Sequence, residues 1–140
     1  DESRTGGAVR RYGSSPEIND AMSNPTRAVS GFERQLIEAV ASHLPEASAL
    51  QLHADLASAA AVEMGPGGAR VGFVISGYER PPYQGQHAYP VELQMQDADG
   101  AELTPILHAD ANDRLLELEI IRWDGAELIS PRIDSLVCYA

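Results

Sequence analysis

Glu117 and Glu119 sit two residues apart in Leu115–Trp123, a run that reads as a β-strand, and strand alternation puts both carboxylates on one face. That spacing is close enough for the acid and nucleophile of a glycosidase. Acidic residues are so frequent in this chain, however, that such pairs arise by chance. His108 lies near Asp110 and Asp113, a grouping that could serve zinc or magnesium, or a small hydrolase. No two of His43, His53, His87 and His108 have zinc-ligand spacing. Asp97-Ala98-Asp99-Gly100 opens like a calcium loop, but its glycine comes two positions early and the twelfth position is His108 rather than Glu. It reads instead as a hairpin turn. Cys138, the only cysteine, stands beside Val137 and reads as a small apolar residue of the core. No nucleophile elbow, dinucleotide fingerprint or phosphate loop occurs. Gly65-Pro66-Gly67-Gly68 precedes a strand, so no helix amino terminus follows it to hold phosphate. The expectation is a protein with no catalytic residue, no metal and no cofactor.

What the acids do instead is carry charge. From Ala88 to Ala140 the chain has eleven Asp and Glu against three Arg, and its net charge is −11. That balance argues against nucleic acid and against an anionic membrane surface, and it favours a basic protein partner. All ten cationic residues are Arg, which reads as base-composition bias in the gene. No stretch approaches the roughly 20 apolar residues of a membrane span. A single cysteine rules out an internal disulfide and fits a reducing cytoplasm.

The elements that must position these residues follow from periodicity. Residues 1–29, rich in Gly, Ser and Pro and balanced in charge, read as a flexible or foreign arm, with Met22 a candidate native start. The missing initiating Met also fits a domain clipped from a larger polypeptide. Ser30 with Glu33 is a capping box opening a helix, and Phe32, Leu36, Ile37, Val40, Ala41 and Leu44 form its apolar face. Pro45 ends that helix and starts a second over 46–58. Alternation then predicts strands at 61–64, 69–76, 91–96, 102–108 and 115–123, and a final one near 135–139, with residues 77–90 as a long loop. The expected domain, residues 30–140, is α+β: two N-terminal helices packed on one face of a five- to six-stranded, mainly antiparallel meander.

On the strand 115–123, Leu116, Leu118 and Ile120 are expected to face the core. Leu115, Glu117, Glu119, Ile121 and Trp123 are expected to face outward. Three large apolar groups exceed what a solvated face needs, and Trp is the residue most enriched at binding hot spots. Either the loop or the arm covers them, or they form an acidic and aromatic contact surface. Asp97, Asp99, Asp110 and Asp113 on the adjoining turns, and Tyr83 and Tyr89 in the loop, are expected to extend it.

Three segments resemble a family of small, functionally uncharacterised bacterial proteins, some of them similar to immunity proteins of polymorphic toxin systems. They are Phe32-Glu33-Arg34-Gln35-Leu36-Ile37, Leu50-Gln51-Leu52, and Leu115-Leu116-Glu117-Leu118-Glu119 followed by Trp123-Asp124-Gly125. The resemblance implies an α+β fold and carries over no catalytic residue. A cysteine- and glycine-rich segment belongs near Gly65–Gly68 in that family, and cysteine is missing here. The expected function is a non-enzymatic acidic binding module, an immunity protein or antitoxin that occludes the basic cleft of a cognate toxin. The alternatives are a small hydrolase using carboxylates or His108 near the meander turns, and a homodimer through the outer face.

Overall fold

The computed structural model describes residues 25–140. The expected arm, residues 1–29, lies outside them up to residue 24. Its last part is ordered sheet: Arg27–Ala28 forms a short strand, β1, and Val29 is buried in the core.

Two helices follow. Helix α1, Gly31–Ala41, has the expected capping box: the Ser30 hydroxyl accepts from the Glu33 amide at 3.1 Å, and the Glu33 carboxylate accepts from the Ser30 amide at 2.9 Å. Such a cap stabilises a helix by about 1 kcal/mol. Leu36, Ile37, Val40 and Ala41 are buried on one side. Pro45 is the N-cap of α2, Glu46–Ala57, which buries Leu52, Asp55 and Leu56.

The strands are β2 (Ala59–Glu63), β3 (Arg70–Ile75), β4 (His87–Ala88), β5 (Glu92–Gln96), β6 (Glu102–Ala109), β7 (Leu115–Arg122) and β8 (Arg132–Tyr139). With β1 they make one eight-stranded antiparallel sheet, ordered β1-β2-β3-β7-β6-β5-β8, with β4 paired to β6. The α+β class holds, while the strand count exceeds the expected five or six. The two-residue strands β1 and β4 are too short to leave a periodic signal in the sequence. A plain meander is also corrected. Residues 76–91 carry the chain past two strand positions, so β3 pairs with β7, and β8 returns beside β5.

This crossover sets the register that matters. Gly72 stands opposite Glu117 and Arg70 opposite Glu119, while His108 and Ile106 face the same two glutamates from β6. A shift in register between His108 and Ala109 makes Leu116 an extra residue, and it turns Leu115 into the main core. The outward placement of Leu115 is thereby corrected. Leu118 and Ile120 lie in that core as expected, beneath Leu36, Ile37, Val40 and Leu52 of the helices.

Candidate functional site

The acidic residues divide into two populations. Five carboxylates among the described residues are buried: Glu33, Asp55, Asp97, Asp110 and Glu117. Each takes a different arginine, because a buried charge is tolerable only when paired and hydrogen-bonded. Arg27 meets Glu33 at 2.7 Å, Arg114 meets Asp55 at 2.7 Å, and Arg122 meets Asp97 at 2.8 Å. Arg80 meets Asp110 at 2.9 Å, and Arg70 meets Glu117 at 3.0 Å.

These pairs staple elements together. Asp55 of α2 also accepts the Leu115 amide at 3.0 Å, fixing the helix to the start of β7. Asp97 accepts the amides of Ala98, Ile129 and Ser130, which ties the β5–β6 turn to the segment before β8. Burial alone would push its carboxyl up. The three amides and the Arg122 guanidinium more than reverse this and bring it down to about 2. Asp110 accepts from the Tyr78 hydroxyl at 2.7 Å and from the Asn112 and Arg114 amides. Burial opposes its ionisation too, yet these donors and Arg80 hold its carboxyl below the ordinary range.

The expectation that Asp97, Asp110 and Glu117 belong to a contact surface is therefore corrected, since all three are consumed inside the fold. Tyr89 is corrected likewise. It packs into the core, its hydroxyl finds no hydrogen-bond partner among the described residues, and burial pushes its ionisation well up. Tyr83 is half-buried in the loop. Asp99 is exposed and pairs with Arg122 at 2.7 Å, and Asp113 is exposed with His87 Nε2 at 2.7 Å. Asp99 and Asp113 stand on turns at opposite ends of β6 and so do not converge.

What remains on the outer sheet face is a coherent surface. Arg70 covers Glu117, with Gly72 between them and Met64. A Cβ on Gly72 would come within 2.7 Å of the Met64 sulfur, so this position leaves the thioether room to lie against the sheet. Glu119 is half-buried beside His108, whose Nε2 lies 3.2 Å from its Oε1. Ile121 is half-buried opposite Thr104. Trp123 follows the end of β7 and is 65% exposed, its indole N–H donating to Thr104 Oγ1 at 2.7 Å. On β8, Val137 and Tyr139 are exposed opposite Gln94 and Glu92. Neither the long loop nor β1 covers Trp123. Two adjoining hollows mark this face: one of about 480 Å³ between Gln94, Gln96, Glu102, Thr104, Trp123 and Val137, and one of about 700 Å³ toward Pro90, Ile106 and Tyr139.

Two arrangements could carry chemistry. The ligand atoms of His108, Glu117 and Glu119 lie within 4.8 Å of one another, close enough for a divalent cation. Arg70 already balances Glu117 through two of its nitrogens, so a cation there would compete with the guanidinium. Elsewhere, a hollow of about 580 Å³ between the α1–α2 corner and the 110–113 turn holds Ser48, His87 and Asp113 together. His87 is no general base for Ser48. Its Nδ1 lies 3.0 Å from the Gly85 carbonyl and its Nε2 2.7 Å from Asp113, so both nitrogens face acceptors. The Gly85 carbonyl and then Asp113 raise the imidazole's affinity for its proton.

Sequence reasoning missed the Arg70–Glu117 pair, the Arg122 clasp and the His87–Asp113 contact, because each joins segments distant in the chain. The only local signal for the clasp is Asp124 two residues after Arg122, which it meets at 2.8 Å.

Fold and site together define an acidic α+β domain with a stapled interior and an aromatic outer sheet face. The chain belongs to a domain family of unknown function, DUF6984, whose model matches residues 26–132. No curated protein and no solved structure matches it significantly. The family description names no activity, so the expected kinship with immunity proteins enters only as a proposal.

Proposed function

We propose that this domain is a non-enzymatic binding module for a basic protein, which it meets with the outer face of its sheet. The observation that carries the reading is the fate of the charges. Among the described residues, seven Arg stand against seventeen Asp and Glu, and five Arg are committed to buried carboxylates. Eleven carboxylates remain exposed, three of them (Glu63, Asp99 and Asp124) sharing Arg27 or Arg122 with a buried acid, against the exposed Arg34 and Arg132. The outward field is thus almost wholly negative, and the exposed Trp123, Val137 and Tyr139 lie within it. Apolar anchors inside a field of one sign suit a partner of opposite charge, with steering from the field and affinity from the anchors. A cytoplasmic immunity protein or antitoxin that fills the basic cleft of a nucleic-acid-cleaving toxin is the specific form this proposal takes.

The test is a calorimetric titration with the product of the neighbouring gene. Saturable binding is expected, weakened at least about tenfold by Trp123→Ala combined with Glu92→Lys. Unchanged affinity in that double variant would remove the outer face from the account. A second reading rests on the His108, Glu117 and Glu119 cluster, which would suit a small metal-assisted hydrolase. Stoichiometric metal in the purified protein, lost on His108→Ala, would favour it.

A further inference from the structure

The hollow at the Trp123 end has features that a generally acidic surface does not need. We propose that it is a receptor for an arginine side chain of the partner, an inference that rests on the reading above that the partner is basic and meets this face.

Trp123 is held rather than loose. Its indole N–H is fixed on Thr104 Oγ1 at 2.7 Å, and its backbone amide lies 3.4 Å from the Glu102 carbonyl, yet the residue stays 65% exposed. The ring is thus a preset platform, and the indole face is the best aromatic partner for a cation. Glu102, beside Trp123 across the strand pair, lines the same hollow, and its exposed carboxylate makes no ion pair among the described residues. Gln94 and Gln96 line the opposite side from β5, and their amide oxygens can accept further N–H groups.

A platform, a carboxylate and two amides match a planar guanidinium better than a compact ammonium. The guanidinium stacks on an indole, forks onto a carboxylate with two N–H groups, and gives up its hydration more readily. Arg132, opposite Gln96, is held by Asp134 at 3.4 Å, and Arg122, next to Trp123 in the chain, is taken up by Asp97, Asp99 and Asp124; neither lines the hollow. A volume of about 480 Å³ accommodates one such side chain with room for its aliphatic stem against Val137.

The chain has one tryptophan, so its fluorescence reports on this hollow alone. Titration of the full chain with a tri-arginine peptide is expected to give a saturable change. A tri-lysine peptide of equal charge should bind about fivefold more weakly. Glu102→Gln should weaken the arginine peptide about tenfold while leaving the thermal midpoint unchanged. No saturable change, equal affinity for the two peptides, or no effect of Glu102→Gln would overturn the receptor and leave only attraction to a protein of net charge −11. The two proposals fail separately. Partner binding that Trp123→Ala with Glu92→Lys weakens, without any preference for arginine, rejects the receptor and keeps the partner surface. An arginine response in a protein that binds no basic partner does the reverse.

Discussion

At the scale of residues, the chain spends its arginines on burying carboxylates. A buried pair adds little over an apolar isostere, but breaking one is costly because the survivor stays buried and unpaired. Asp97 shows this most fully, with three amides and Arg122 converging on a carboxylate that has no exposure. Its carboxyl sits at about 2 against an ordinary 3.8. A group depressed on folding stabilises the fold above its unfolded value and loses that contribution as pH falls through its folded value. Asp97 therefore supports the fold at neutral pH, and that support fades between about pH 4 and 2. Asp97→Asn should cost about 3 kcal/mol at pH 7 in denaturant unfolding and flatten the acid limb of the stability curve. An unaltered acid limb would deny Asp97 that role.

His87 has the opposite sign. Its ring bridges the Gly85 carbonyl and Asp113 most completely when both nitrogens carry protons, and its proton affinity is raised accordingly. The stabilisation is present below the unfolded value of 6.5 and is lost as pH rises through the higher folded value. In an NMR titration the His87 ring should titrate above 6.5, and Asp113→Asn should move it downward. A midpoint insensitive to that substitution would show the contact to be unformed in solution.

At the scale of elements, the long loop over residues 76–86 is an anchored strap. Arg80 reaches from it to the Asp110 carboxylate, the Leu115 carbonyl and the Phe73 carbonyl, at 2.9, 2.9 and 2.6 Å. Tyr78 donates to the same Asp110, and the Arg114 guanidinium lies 4.2 Å from its ring centroid. Removing Arg80 strips one buried carboxylate of its cation and two carbonyls of a donor. Arg80→Ala should therefore cost about 3 kcal/mol or more and speed hydrogen exchange through the loop and the Asp110–Arg114 turn. Exchange unchanged in both segments would contradict the strap.

The elements were largely legible because their signals are local. The capping box at Ser30 and Glu33, Pro45 between the helices, and alternation in 91–96 and 115–123 all act within a few residues. The sheet order was not legible, because nothing in β3 or β7 announces that Arg70 will meet Glu117. Burial misled for a similar reason. Asp97 and Asp110 sit in turn sequences that ordinarily face solvent, and only partners far along the chain, Arg122 and Arg80, draw them inward. The outward position of Trp123 is legible because alternation from Leu118 and Ile120 survives to the end of β7. The inward position of Leu115 is not, because the irregularity at Ala109 breaks that alternation.

At the scale of the whole molecule, interior pairing and exterior charge are one arrangement. Each buried pair withdraws one charge of each sign, so the acidic excess of the chain stays on the surface with few arginines among it. No helix among the described residues is long and apolar enough to cross a membrane. The acidic exterior frames one sheet face on which Trp123, Val137 and Tyr139 are exposed together. The central claim is that this face closes over a basic partner. Acrylamide quenching of Trp123 fluorescence, measured alone and with a bound partner whose own tryptophans are replaced, tests it most directly, because this chain has no other tryptophan. The account predicts that the quenching constant falls at least about threefold in the complex, as expected when an exposed anchor is desolvated. A complex that forms while Trp123 stays as open to quencher as before would contradict it.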